Sequence, residues 1–584
     1  MSKGSVIILN VCDYIINALS EYEVKHIFGY IGAKNIALIE AVYRNEKVKF
    51  VNVYHEQTAS FAACAYAQIN RKLGVAVSTS GPGGTNMLTG IAQAYCDSIP
   101  VLFITGQNSL NVLRNGRKIR NESNQEIDIV AVAEPITKYA VQIHDVRDLP
   151  YELAKSVYLA TSGRPGPVLL DIPENIQWSE FEPDGCAIYQ PESKPEVFSA
   201  DRIKAGLKAL CANCERPVIV VGNGAHGFES EIMSVTACNN VPVAASMSAI
   251  DIYDGNKPNY LGVTGNYGLR CANFALANAD LIIALGCSMS KRYTGNDLSR
   301  FAANAKAVRV DIDEEELAAR TIKPDELKIC SDLQVFFDNF GDILREIKPN
   351  AEWLRRVHEW KERYYFENVG TDKLQYEVLR AMNRLRRNTD VVTADVGNNQ
   401  LWVIQTLIFK AEQKFVSTSG LSTMGYGLPA AIGAYYANPN ADIICICGDG
   451  GLQMCIQELQ FPVREKIPIT IVLFNNGILG TIRSLQDTYY GGKHYASEID
   501  YSAPDFVSVA KAYGIRAEQV NSVEQFERVF ALRGDSPLLI DVRISPNADV
   551  IPRITSRKPM YDLTPLLSDE ELAKNMLVPY ERRL

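Results

Sequence analysis

Two short polar turns carry the residue types in this chain best suited to chemistry. Gly448-Asp449-Gly450-Gly451 follows the apolar run Ile443 to Cys447, and Asn475-Asn476-Gly477 follows the run Ile469 to Phe474. Apolar runs of that length read as buried strands, so both turns fall at carboxyl ends of strands. That edge is where open α/β sheets take their ligands. The carboxylate of Asp449 and the carboxamide of Asn476 are oxygen donors, which suit Mg²⁺ or Ca²⁺ rather than zinc. Glycines let a backbone approach phosphate oxygens, and the helix that follows offers its N-terminus to an anion. The pair points to a metal-bound diphosphate, although either turn alone also fits a plain connection.

Other candidates are individually ambiguous. Tyr54-His55-Glu56-Gln57 sits between the strand-like run Phe50 to Val53 and the helical run Ala59 to Ala67. Glu56 there is either a reactive carboxylate or an ordinary first-turn glutamate favoured by the helix dipole. Ser80-Gly81-Pro82-Gly83-Gly84-Thr85-Asn86 is a phosphate cradle or a tight turn. The run Gly222-Asn223-Gly224-Ala225-His226-Gly227 has dinucleotide-fingerprint spacing, but the next strand ends in Ala244-Ala245-Ser246 without the acid that NAD requires. Gly286, Arg292, Asp311 and Asp313, each at or near a strand end, leave another nucleotide open. With no Gly-x-Ser-x-Gly elbow, no HExxH and only six histidines, nucleophile-based hydrolysis finds no support. Cys211 and Cys214 form a lone CxxC, too little for a zinc site.

The elements that must hold these residues are of one kind. Short apolar runs alternate with helix-like segments three times over, which predicts an α/β protein of three doubly wound parallel-sheet domains. The expected boundaries are 1–177, a linker 178–198, a central domain 199–348, a linker 349–368, a third domain 369–554 and a surface-packed tail 555–584. The 584 residues, 47% of them hydrophobic, suffice for several cores. A net charge of −9 gives no footprint for nucleic acid or an anionic membrane. The first ten residues read as neither a secretory nor a spanning segment, and the 13 cysteines lie scattered in apolar stretches as reduced thiols do. The expectation is a cytoplasmic protein with a small-molecule substrate.

In this order, His55-Glu56, Ser80 to Asn86, Ser162-Gly163-Arg164-Pro165-Gly166-Pro167-Val168, Met424-Gly425-Tyr426-Gly427-Leu428-Pro429-Ala430-Ala431-Ile432-Gly433-Ala434 and the Gly448 to Asn476 motif resemble the thiamine diphosphate enzymes. The resemblance is strongest to the acetohydroxyacid synthase branch of the pyruvate-oxidase-like group. It implies a pyrimidine-binding first domain, a nucleotide-binding middle domain that often holds FAD, and a diphosphate-binding third domain. Glu56 would favour the imino tautomer of the cofactor's aminopyrimidine, whose nitrogen takes the thiazolium proton. Gln125, the glutamine shared with the family, is expected as a second catalytic residue. Mg²⁺ would be held by Asp449, Asn476 and the carbonyl of Ile478. Met424 would fill the bend of the cofactor, and the Ser422 carbonyl would accept from its amino group. Gly397, Asn398, Gly448, Gly450, Gly451, Leu479 and Gly480 would complete the cofactor contacts. Arg164, Gly222, Gly224, Gly286, Arg292 and Asp311 would face FAD, although Ser288 and Lys291 depart from the family there.

The same resemblance implies that a 2-oxo acid such as pyruvate is decarboxylated and its two-carbon unit passed to an acceptor carbonyl, with acetolactate formation the leading case. It also implies a site shared between subunits, hence a homodimer at minimum, with a tetramer compatible. The acceptor side departs from the biosynthetic synthases: Leu485 replaces their tryptophan, Asn124 a phenylalanine and Glu174 a lysine. The loop from Ser109 to Ser123 brings Arg114, Arg117, Lys118 and Arg120 close together. That cluster is either a solvated face or a grip on a phosphate-bearing acceptor, such as the nucleotide-linked keto-sugars used by relatives in surface-polysaccharide pathways. Simple 2-oxo acid decarboxylation is the third reading, weakened because the paired histidines of pyruvate decarboxylases have no counterpart.

Overall fold

Buried strands here are near-continuous apolar runs, and parallel sheets covered on both faces require that pattern. A computed structural model, describing residues 8–191, 200–365, 373–410, 412–555 and 558–581, arranges them in three six-stranded parallel sheets. The ends of both expected linkers, and residues 556, 557 and 582–584 of the tail, lie outside the described residues.

The N-terminal sheet runs, in spatial order, Lys49–Asn52, His26–Gly29, Gly74–Ser78, Val101–Gln107, Val168–Pro173 and Tyr139–Gln142. The C-terminal sheet has the same order: Lys414–Ser417, Val391–Ala394, Ile443–Gly448, Thr470–Asn475, Leu538–Arg543 and Arg516–Val520. In both, the chain leaves its first strand to one side and returns to the other, which opens a crevice between the first and third strands. The central sheet runs Tyr260–Val263, Val243–Ala245, Pro217–Val221, Leu281–Leu285, Lys306–Asp311 and Leu327–Cys330, with its crevice between Pro217–Val221 and Leu281–Leu285. The expected fold class is therefore what the chain adopts.

Helices Glu56–Asn70 and Gly427–Ala437 lock the outer domains together. A side chain at Gly433 would collide with the backbone carbonyl of Ala62, so the close crossing depends on glycine. The tail lies against the central domain and the helix Ala351–Tyr364 that follows it: Asn273 Nδ2 donates to the Met560 carbonyl at 2.9 Å, and Trp360 Nε1 donates to Asn575 Oδ1 at 2.8 Å. Among the described residues, no helix is long and apolar enough to cross a membrane.

Candidate active site

Glu56 opens the helix Glu56–Asn70 directly after the strand Lys49–Asn52, with His55 as N-cap: His55 Nδ1 accepts from the Gln57 amide at 3.1 Å. The Glu56 side chain is only 8% exposed. Asn86 Nδ2 donates to its Oε2 at 2.9 Å, and a Cβ on Gly83 would stand 3.3 Å from its Oε1. The loop Ser80 to Asn86 thus serves to close over a carboxylate. Gln125, at φ +59°, lies against the same loop, with its backbone carbonyl 2.7 Å from where a Gly81 side chain would begin. Residues from three separate stretches, Glu56, Gly83 to Asn86 and Gln125, are therefore gathered at one edge.

The second cluster straddles the crevice of the C-terminal sheet. Gly397 and Asn398 follow Val391–Ala394 and start the helix Asn398–Thr406, while Asp449 follows Ile443–Gly448 and Asn476 follows Thr470–Asn475. Asp449 is 3% exposed. Its Oδ1 accepts from the Gly450 amide at 3.0 Å, but its buried Oδ2 has no hydrogen-bond partner. Burial pushes this carboxyl up to about 6; the Gly477 amide and the Tyr501 hydroxyl stand near enough to oppose that in part, without making a hydrogen bond of ordinary length and angle to Oδ2. A buried carboxylate oxygen without a donor is costly, and a cation at that oxygen would offset the cost. Asn476 and Asn398 converge here: a Cβ on Gly480 would meet their Nδ2 atoms at 2.8 and 2.9 Å. One on Gly450 would meet Leu479 Cδ2 at 2.7 Å and Met424 Cε at 3.2 Å. The oxygen donors of Asp449 and Asn476 fit Mg²⁺, and the glycine floor fits a diphosphate.

The segment bearing Ser422 and Met424 is held from two sides. Asp97, at the end of helix Pro82–Cys96, accepts from the Gly420 amide at 2.6 Å and the Ser419 amide at 3.0 Å. Asp395, wholly buried and pushed by that burial up to about 7, accepts from the amides of Gly425 at 3.0 Å and Gly427 at 2.9 Å. Ser422 itself is at φ +59°. Neither aspartate carries a sequence signal, because each acts on backbone amides distant in the chain.

Three domain descriptions match this architecture: the N-terminal binding domain of thiamine pyrophosphate enzymes over residues 9–132, the central domain over 206–340 and the C-terminal binding domain over 395–542. The chain belongs to the thiamine pyrophosphate enzymes. It is 36% identical to the acetolactate synthase large subunit of Cyanidium caldarium, covering 93% of this chain and 94% of that one. It is 35% identical to the probable acetolactate synthase large subunit of Methanocaldococcus jannaschii, over 92% of each chain. Against the acetolactate synthase isozyme 2 large subunit of Escherichia coli it is 32% identical, over 94% and 97%. Its place among thiamine pyrophosphate enzymes is the acetolactate synthase-like branch.

In this thiamine pyrophosphate enzyme the central crevice is closely packed by its glycines. A side chain on Gly224 would meet Gly286 Cα at 3.1 Å, and one on Gly286, at φ +54°, would meet Gly224 C at 2.6 Å. Gly222 and Gly224 donate to the carbonyls of Leu285 and Gly286, both at 3.0 Å. Arg164 crosses from the N-terminal domain to Asp313 at 3.1 Å and Glu316 at 3.2 Å, beside Asp311, whose carboxyl burial pushes up. Arg292 Nη1 donates to the Ser419 carbonyl at 3.1 Å. The residues named for a flavin do gather along one edge, but the two arginines already have protein partners. In the 109–123 loop, Arg114 pairs with Asp128 at 3.8 Å and Arg117 with Glu122 at 3.1 Å, which leaves Lys118 and Arg120 as its outward charges.

Proposed function

We propose that this chain is a carboligase of the acetolactate synthase type, which decarboxylates pyruvate and joins the two-carbon unit to a second carbonyl compound. The observation that carries the reading is the orphaned, buried Asp449 Oδ2, set beside Asn476 on a glycine floor. Asp449, Asn476 and the Ile478 carbonyl would hold Mg²⁺, with Gly397, Asn398, Gly448, Gly450, Gly451 and Gly480 around the diphosphate, Leu479 and Met424 under the bend, and the Ser422 carbonyl at the amino group. Bound thiamine diphosphate supplies the electron sink for decarboxylation. Glu56 holds and returns the proton that starts each turnover, and Asn86 fixes its carboxylate for that exchange. Gln125 orients the substrate at the same edge. Met424 and Leu479 keep water from the reacting carbon.

The working unit is a homodimer at minimum. Met454, packed beside Gly425 of the Met424 segment, is 57% exposed and Ile119 in the 109–123 loop is 43% exposed, and a second copy would cover them. A cytoplasmic location is supported by thirteen free cysteines. FAD is proposed along the central edge of Arg164, Gly222, Gly224, Gly286, Arg292 and Asp311, where binding would require Arg164 to exchange Asp313 and Glu316 for a phosphate. The visible spectrum of the purified protein tests this, and a colourless preparation releasing no flavin rejects it. For the reaction itself, incubation with pyruvate, Mg²⁺ and thiamine diphosphate should yield acetolactate. Release of free acetaldehyde alone would make the protein a decarboxylase.

One cavity favours a second reading of the acceptor. A cleft of about 360 Å³ opens beside Leu485, lined among others by Asn296, Arg300, Tyr489, Arg553 and Lys558. It is of the size that takes ligands larger than pyruvate; its cations Arg300, Arg553 and Lys558 pair with Glu581, Asp549 and Asp562, pairs that a phosphate-bearing sugar would have to displace. Pyruvate paired with nucleotide-linked 4-keto sugars would then give products heavier by one acetaldehyde equivalent. Rapid pyruvate self-coupling with no sugar consumed removes this reading.

A further inference from the structure

Glu458 is fully buried on the short turn Ile456–Leu459, which follows the Asp449 helix, yet its carboxylate serves the other domain. Its Oε1 and Oε2 lie 3.1 and 3.3 Å from the amide nitrogen of Tyr54, which donates to them. The His55 amide and the Thr58 hydroxyl donate to it as well. These three donors bracket Glu56 on both sides. The first amides of a helix have no partner within it. Here His55 Nδ1 satisfies one of them, while Glu458 satisfies the pair immediately before. Arg464, on the next short helix, reinforces the contact by placing its guanidinium 5.0 Å from the Tyr54 ring centre and donating to the Asn52 carbonyl.

We propose that Glu458 is the positioning residue for Glu56: its ionised carboxylate holds the Tyr54-His55-Glu56 turn in the geometry that proton exchange requires. The proposal rests on Glu56 being the proton-handling group. Protonation of Glu458 removes one accepting face, and the turn loses a donor's partner. The groups facing it are Arg464, whose charge favours the carboxylate, the thiol of Cys455, and on the N-terminal side Tyr54, His55 and Thr58. Burial pushes the Glu458 carboxyl up to about 7, against the donors and Arg464. Activity is then lost as pH falls through that value, because the neutral acid no longer holds the turn.

The test is Glu458→Gln in the full-length holoenzyme. The expected result is a kcat lower by about 10–100-fold, the scale of a small misplacement of a reacting group, with pyruvate KM and cofactor affinity close to wild type and the acid limb of the pH profile flattened. Thr58→Val removes one donor to the carboxylate, so the acid limb should move to higher pH. Wild-type kcat with an unchanged limb in Glu458→Gln overturns the proposal, as does a lowered melting temperature with an unchanged limb. If Glu458→Gln does not fold, an unmoved limb in Thr58→Val overturns it. Glu56→Gln separates the levels: if that enzyme is inactive while Glu458→Gln behaves as wild type, only the positioning role fails. An active Glu56→Gln enzyme sinks the underlying reading.

Discussion

Asp97 accepts from the Gly420 amide at 2.6 Å across 323 residues of sequence, so a carboxylate at a helix end of the first domain grips the segment that delivers Ser422 and Met424 in the third. Its second oxygen takes the Ser419 amide at 3.0 Å. Hydrogen bonds to a buried charge are worth roughly 1.5–3 kcal/mol each. Asp97→Ala should therefore weaken thiamine diphosphate binding by about tenfold or more, read by calorimetry, while kcat at saturating cofactor changes far less. Unchanged affinity would mean that the Met424 segment holds its shape unaided.

Glu56→Gln keeps the shape of the side chain and its contact with Asn86 but cannot exchange a proton. Turnover should fall by about 10²–10⁴ with thiamine diphosphate still bound. A protein that merely binds the cofactor would show no such loss in any assay of product.

If the Glu56 cluster of one protomer works with the Asp449 cluster of its partner, two variants that are each inactive at the Mg²⁺ concentration the wild type needs can rescue each other. Mixing Glu56→Gln with Asp449→Asn through unfolding and reassembly gives hybrids in which one of the two sites has both native halves. Activity should return to about a quarter of the wild-type level, from the statistics of a two-fold dimer. No recovery would place both halves in one chain.

Chelation should abolish activity, and Mg²⁺ should restore it. Asp449→Asn leaves Asn476 without a charged co-ligand. The Mg²⁺ concentration for half-maximal rate should rise by at least about 10–100-fold, the loss seen even for outer-shell partners of metals. An unchanged Mg²⁺ requirement would move the metal elsewhere.

Asp171 offers a pH test independent of the active site. Wholly buried in the N-terminal sheet, it accepts from Thr105 Oγ1 and Gln142 Nε2, both at 2.7 Å, and burial pushes its carboxyl up to about 6. A folded value above the unfolded one stabilises the protein in acid, and that contribution is lost as pH rises through the folded value. Relative to Asp171→Asn, the wild type should lose on the order of 3 kcal/mol between about pH 4 and pH 6, measured by denaturant unfolding at a series of pH values. A difference that does not change with pH would mean that Asp171 ionises as freely folded as unfolded.

Local patterning alone announced the buried strands and the two glycine turns, because an apolar run and a φ-permissive residue act within a few positions of themselves. Gly74–Ser78, Pro217–Val221, Leu281–Leu285 and Val391–Ala394 are such near-continuous apolar runs, and each is a buried strand. Edge strands such as Tyr139–Gln142 and Arg516–Val520 stayed illegible, since one side faces solvent or a thin cover and the apolar run breaks up. Residue type and spacing likewise singled out Glu56, Asp449 and Asn476 as candidates, whereas the contact of Asn86 with Glu56 emerged only on folding.

What only the tertiary structure decided is which groups hold those residues in place. Asp97, Asp395 and Glu458 act on backbone amides, and every residue but proline offers the same amide, so no spacing or residue type marks the partner in advance. The same holds for charges: Arg164 and Arg117 look like free cations in the sequence, whereas folding supplies Asp313, Glu316 and Glu122 to neutralise them.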